Sequence, residues 1–206
     1  MLSCCLVDLN RILGTNNTQI ISKTNPIVTF VNETLQISNK LTDPSYLPQL
    51  FYLLESLDKA QINLVMVTEK HVELTKSFIE ACLETVDHLQ NQPEIYAKVE
   101  RLLKIVFEDA SQQLKDHNLQ ELLLPLLLTF NKENKKTKKF EITTSLIKNL
   151  SYNLKQNCSK ILEDIFQKKG IYRNIQPALT VEEICYIIQT LFKLDSEINR
   201  KVWDYL

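Results

Sequence analysis

Residues 118–131 read NLQELLLPLLLTFN, and no other stretch of the chain restricts its fold so strongly. Leu119, Leu122, Leu123, Leu124, Leu126, Leu127, Leu128 and Phe130 leave a helix here apolar on nearly every side. A helix apolar all round must be enclosed all round. The run is well short of the roughly 20 residues that span a bilayer, and Asp116, Glu121 and Lys132 punctuate it. It therefore predicts a central helix covered by the segments before and after it, with no insertion into a membrane. Pro125 falls in the middle. It has no amide hydrogen to give to the Glu121 carbonyl, which predicts a kink or break there.

What surrounds such a helix is narrowed by glycine. Only Gly14 and Gly170 occur in 206 residues. Phosphate-binding turns of an α/β enzyme, or the tight hairpins of a β-sandwich, need more backbone at positive φ than two glycines easily supply. Hydrophobic residues make up 44% of the chain, enough to bury a core. The expected class is all-α. The formal net charge of −1 gives no global attraction to nucleic acid or to an acidic membrane. The five cysteines, Cys4, Cys5, Cys82, Cys158 and Cys185, are odd in number and scattered, mostly within apolar patterns. That suits reduced, buried thiols rather than a disulfide framework, and hence a cytoplasmic or nuclear protein. The start MLSCCLVDL is too short for a signal-peptide core. Sequons at Asn16, Asn32, Asn149 and Asn157 are then chance matches in an Asn-rich chain.

Along the chain, apolar residues recur at helical spacing. Leu2 to Leu13, Gln19 to Lys23 and a helix opened by Asn25-Pro26 come first. Thr42-Asp43-Pro44 opens a helix carrying Leu47, Leu50, Leu53, Leu54 and Leu57. Leu57 to Val67 reads as further helix, and Thr68 starts another to about His88. Gln90 to Pro93 is a break. Glu94 to Lys115 is the cleanest amphipathic pattern, with Val99, Leu102, Leu103, Val106, Phe107 and Ala110 on one face. After the central helix, Lys132 to Lys139 reads as a charged loop and Phe140 to Leu154 as one helix. A further helix runs to Lys169 and stops at Gly170. Thr180 and Glu183 form a capping box for the next helix. The pattern is still helical at KVWDYL, as in a piece of a longer protein or an end that docks on a partner.

About ten one-sided helices with mostly short connections fit an α-solenoid. The stretch LVDLNRILGTNNTQIISKTNPIVTFVNETL resembles an armadillo repeat: a helix, an Asn-containing turn, a short isoleucine-rich helix, and a turn into a long apolar helix. SLIKNLSYNLKQNCSKILEDIFQKKGIYRNIQPAL is similar to a second copy, with Asn149-Leu150-Ser151, Asn157, Ile161 and Gly170-Ile171 in armadillo order. LPQLFYLLESL and LLLPLLLTF resemble the long third helix. The second copy is longer than usual between Asn149 and Gly170, Asn25-Pro26 stands where a glycine is common, and Leu57 to Lys115 aligns with no repeat. The resemblance implies one irregular, right-handed α-solenoid domain of armadillo/HEAT-like repeats over residues 1–206. Such folds bind partner peptides or helices and are usually non-catalytic.

No catalytic constellation competes with this. His71, His88 and His117 form no pair at metal-ligand spacing, and no Cys-x-x-Cys occurs. Glu80, Glu84 and His88 share one helix face, for which a solvated surface is the simpler account. No catalytic residue, metal or cofactor is expected. Lys132, Lys135, Lys136, Lys138 and Lys139 form a basic patch, read first as a solubilising loop. A nuclear-import signal or a nucleic-acid contact is the alternative, and without an interleaved aromatic such a contact would be sequence-independent and salt-sensitive. Aromatics are enriched at interface hot spots, which makes Trp203 and Tyr205 candidate partner-binding anchors. Armadillo asparagines near the end of the groove-lining helix hold the backbone of a bound peptide. The resemblance implies that role for Asn149, which matches the position, with Asn153 beside it; the equal alternative for Asn149 is a cap or a hydrogen bond within its own repeat. The predicted function is a non-catalytic scaffold that binds a peptide or amphipathic helix of another protein.

Overall fold

The structure is a computed structural model that describes residues 29, 31–36, 44–60, 67, 71–89, 91–131, 137–167 and 179–194. Among them there is no strand. A 3₁₀ turn, Pro44–Tyr46, leads into α1 (Leu47–Ala60), followed by α2 (Val72–His88), α3 (Pro93–Gln113), α4 (Asp116–Leu128), α5 (Lys138–Lys148), α6 (Tyr152–Phe166) and α7 (Val181–Leu194). Residues 31–36 are also helical. These eight bounded elements stand against the roughly ten helices that the apolar spacing predicts. The stretch from Leu57 supplies no helix of its own up to Ala60, where α1 ends, and Val67 is buried but not helical. The predicted helices at Leu2–Leu13 and Gln19–Lys23, the Asn25-Pro26 start and the Gly170 stop lie outside the described residues.

The chain forms two compact units, Met1–Gln113 and Leu114–Leu206. In the first, α3 packs against both α1 and α2. Its face of Ile95, Val99, Leu102, Leu103, Val106, Phe107 and Ala110 is buried, as the spacing requires. Leu50, Leu53, Leu54 and Leu57 supply the buried face of α1. Each such side chain contributes roughly 1.5–3 kcal/mol by leaving water. Charged residues line the rim of the α1–α3 seam: Arg101 meets Asp58 at 3.2 Å, and Lys98 lies 3.9 Å from Glu55 and 5.5 Å from the Phe51 ring centre. The Asn32 amide donates to the Leu74 carbonyl at 3.2 Å, tying residues 31–36 to α2. α2 starts at Val72, later than Thr68 predicts, with His71 at the N-cap and Thr75 donating to its carbonyl at 3.0 Å. The predicted break before α3 is present. Asn91 turns the chain with φ of 59°, a left-handed conformation that asparagine tolerates better than most residues.

In the second unit, α4 is the enclosed helix that its sequence demands. Leu119, Leu122, Leu123, Leu124, Leu126 and Leu127 are all buried, and α4 packs on α6. Pro125 does not break it: the helix runs through to Leu128. The Glu121 carbonyl loses its amide partner on a residue that is only half-buried, while the leucines on both sides stay enclosed. Beyond the helix, the Thr129 hydroxyl donates to the Pro125 carbonyl at 3.0 Å, and the Thr129 and Phe130 amides close the end in tight turns. Phe130 then meets Phe140 edge-on at 5.2 Å. The predicted single helix from Phe140 to Leu154 is two helices. α5 ends at Lys148, and α6 begins at Tyr152 after an extended Ser151. Asn149 is the C-cap residue, and its backbone and side-chain amides both donate to the Ser145 carbonyl, at 3.3 and 2.9 Å. The capping box at the start of α7 is as read from the sequence. The Glu183 carboxylate accepts from the Thr180 amide and hydroxyl, each at 2.7 Å, and the Glu183 amide donates back at 3.2 Å.

Candidate partner-binding surface

The split between α5 and α6 creates an elbow, and it carries both predicted asparagines. Asn149, Ser151, Tyr152 and Asn153 are exposed, while Leu150 between them is buried and anchors the turn. Tyr152 is 65% exposed, the most solvent-facing aromatic side chain among the described residues. Its neighbours Ser151 and Asn153 are polar, and helical spacing puts position 152 opposite the face of Ile142, Leu146, Leu150 and Leu154.

Beneath the elbow lies a polar seam between α4 and α6. Asn157 has no exposed surface. Its side-chain amide donates to the Asn153 carbonyl at 3.1 Å and to Asp116 at 3.3 Å, and its side-chain oxygen accepts from Gln120 at 3.4 Å. Asn153 thus reaches solvent while its backbone and side-chain oxygens face a fixed donor one turn on. Asp116 also receives the Lys160 ammonium. That ammonium first, and the Asn157 amide second, hold the Asp116 carboxyl below its ordinary value, against a smaller opposing effect of dehydration. The seam fixes α6, and with it the elbow's side chains, against a helix that cannot move without exposing its leucines.

Asn149 and Asn153 are therefore placed together, with Asn149 also serving its own helix end. Trp203, Tyr205, Lys132, Lys135 and Lys136 lie outside the described residues. Lys138 and Lys139 stand in the first turn of α5 rather than in a loop, because Thr137 caps the helix by accepting the Phe140 amide at 3.3 Å. The Lys138 ammonium is paired with Glu141. Chemically, the elbow offers amides and a phenol, groups that recognise rather than react. Cys82 and Cys158 are buried, and burial pushes the Cys82 thiol far up, away from nucleophilic form. Cys185, in contrast to the buried thiols expected, is exposed. No group of three or more potential metal ligands exists among the described residues, and no helix there is long and apolar enough to cross a membrane.

Compared with known proteins, residues 1–206 match the profile of a family described as sister chromatid cohesion protein PDS5. No curated protein and no solved structure matches the chain.

Proposed function

Because the chain belongs to the PDS5 family of sister chromatid cohesion proteins, we propose that it is a non-catalytic helical-repeat scaffold that binds a partner protein of the cohesion apparatus in the nucleus. The all-α structure and the family together make it a helical-repeat protein. The family match spans both compact units, which supports reading residues 1–206 as one helical-repeat domain.

One observation carries the binding reading: an exposed Tyr152 flanked by exposed Asn149 and Asn153, on an elbow held by a buried polar seam. A tyrosine on a rigid support is the kind of anchor that dominates interface energetics, since little ordering entropy is lost when it docks. The amides suit an extended peptide, whose backbone presents unpaired donors and acceptors.

The test is recovery of the tagged chain from extracts of its own cells, with bound cohesion proteins quantified for the parent and for Tyr152→Ala/Asn153→Ala. Both positions are exposed, so helicity should be retained. The expected result is a drop in bound partner of roughly tenfold or more, the equivalent of losing one hot-spot side chain. Unchanged recovery would remove the elbow as the binding surface.

A further inference from the structure

The charge around the elbow is one-sided. Of the 25 acidic residues in the chain, none falls between Glu141 and Glu163. Residues 142–162, which hold the elbow, carry three lysines: Lys148, Lys155 and Lys160. Lys160 is taken up by Asp116, and Lys155 is half-buried. Lys148 is exposed and makes no ion pair among the described residues. Glu141, the acid that precedes it in sequence, is paired with Lys138. Lys148 closes α5 at the corner, beside Asn149, and Tyr152 opens α6 just after the turn. A lysine in the last turn also favours the negative end of its own helix, a role that needs no ligand and that the test below separates.

We propose that the elbow takes an extended acidic peptide, and that Lys148 selects it by pairing with an aspartate or glutamate side chain near the residue that docks on Tyr152. This rests on the elbow being the binding surface, as proposed above. Covalent geometry limits the spacing. Four steps of ~3.8 Å between successive Cα atoms separate Lys148 from Tyr152, so the two positions lie within about 15 Å of each other. An extended peptide advances about 3.3 Å per residue. Its acidic residue therefore stands within about five residues of the one that meets Tyr152.

The groups at the elbow favour a carboxylate over other anions. Residues 142–162 contain no arginine, and phosphate on a peptide is recognised by clustered arginines, whose planar forks hold it through paired hydrogen bonds. One exposed ammonium matches one carboxylate in charge. A nucleic acid needs a stripe of cations along its backbone, and here the other exposed ammonium, Lys160, is already held by Asp116. The amides of Asn149 and Asn153 and the phenol of Tyr152 are neutral, so the charge preference falls to Lys148. An exposed pair of this kind contributes little affinity by itself. Its effect is on which sequences bind and how fast they arrive.

The experiment pans a phage-displayed library of random dodecapeptides on the full chain, with Tyr152→Ala/Asn153→Ala as the counter-selection. The salt is about 0.1 M, where exposed charges are felt over about 10 Å. Peptides that need the elbow should be rich in Asp and Glu. Resynthesised, they should bind Lys148→Gln roughly threefold and Lys148→Glu roughly tenfold more weakly than the parent, and Lys148→Arg about equally. The losses should fade near 1 M salt, where the screening length is about 3 Å. Panning on Lys148→Glu should enrich Lys and Arg instead, a swap that a helix-end role for Lys148 does not produce. Elbow-dependent peptides with no acidic preference, bound alike by the parent and Lys148→Glu, overturn this inference and leave the elbow as the binding surface. Peptides that bind the parent and Tyr152→Ala/Asn153→Ala alike remove the elbow reading and this inference with it. Phosphoserine in place of the peptide's Glu that tightens binding tenfold or more overturns the inference in favour of a phosphopeptide. Displacement of the peptides by a single-stranded oligothymidine overturns it in favour of nucleic acid. If Lys148→Glu loses its helical circular dichroism, Lys148→Gln decides, and unchanged binding is the overturning result.

Discussion

Asn157 is the residue on which the second unit's polar chemistry converges. A buried amide is tolerated only when its hydrogen-bonding atoms are engaged, and here Asp116, Gln120 and Asn153 engage both ends. Asp116 carries the pH dependence of the cluster. Its carboxyl is lowered in the folded chain, chiefly by Lys160 and then by Asn157. A carboxyl lowered on folding contributes stability above its unfolded value of about 3.9 and loses it as pH falls through the folded value. Urea unfolding should therefore show the parent losing stability more steeply than Asp116→Asn as pH is taken below about 4. The effect should be small, because the side chain is half exposed and the pair is screened. None of this was legible in the sequence. Asn157 and Asp116 stand 41 residues apart, and an asparagine inside an apolar pattern is as readily a misplaced cap as the centre of a network.

At the scale of the element, legibility depended on whether the signal was local. The capping box of α7 was readable because Thr180 and Glu183 bond only to each other's neighbourhood. Thr180→Ala should cost about 1 kcal/mol in unfolding experiments, and Thr180→Ser should restore most of it. The buried faces of α1 and α3 were readable for the same reason: 3.6-residue spacing is a property of the strand of sequence itself. Pro125 misled because its penalty is local, whereas the enclosure of α4 by leucines on either side is a tertiary effect that outweighs it. The stop at Asn149 was missed because apolar residues continue in helical register across it. The boundary shows in the cap itself, where the Asn149 backbone and side-chain amides share the Ser145 carbonyl and Ser151 is extended. That boundary produced the elbow, whereas the exposure of Tyr152 agrees with the helical register itself, which sets position 152 opposite the apolar face.

For the molecule as a whole, the all-α class followed from two glycines and a run of leucines, because both act on the entire chain at once. The resemblance to armadillo/HEAT-type helical repeats agrees with the family found, whereas the particular family did not follow, since many helical arrays share the same packing rules and differ in what they bind. Stability should rest on a few large enclosed side chains. Phe107, at 1% exposed, lies on the face of α3, which packs against both α1 and α2. Phe107→Ala should lower unfolding free energy by about 3–5 kcal/mol, measured by chemical denaturation. The buried seam between α4 and α6 has one more consequence, for where this protein can be made. Asn157-Cys158-Ser159 is a glycosylation acceptor sequence, yet Asn157 ends with no exposed surface. Sugar transfer in a secretory host acts on the chain before it has folded. A glycan added there would have to occupy space already filled by a neighbouring helix, whereas production in a compartment without that enzyme leaves the seam free to close.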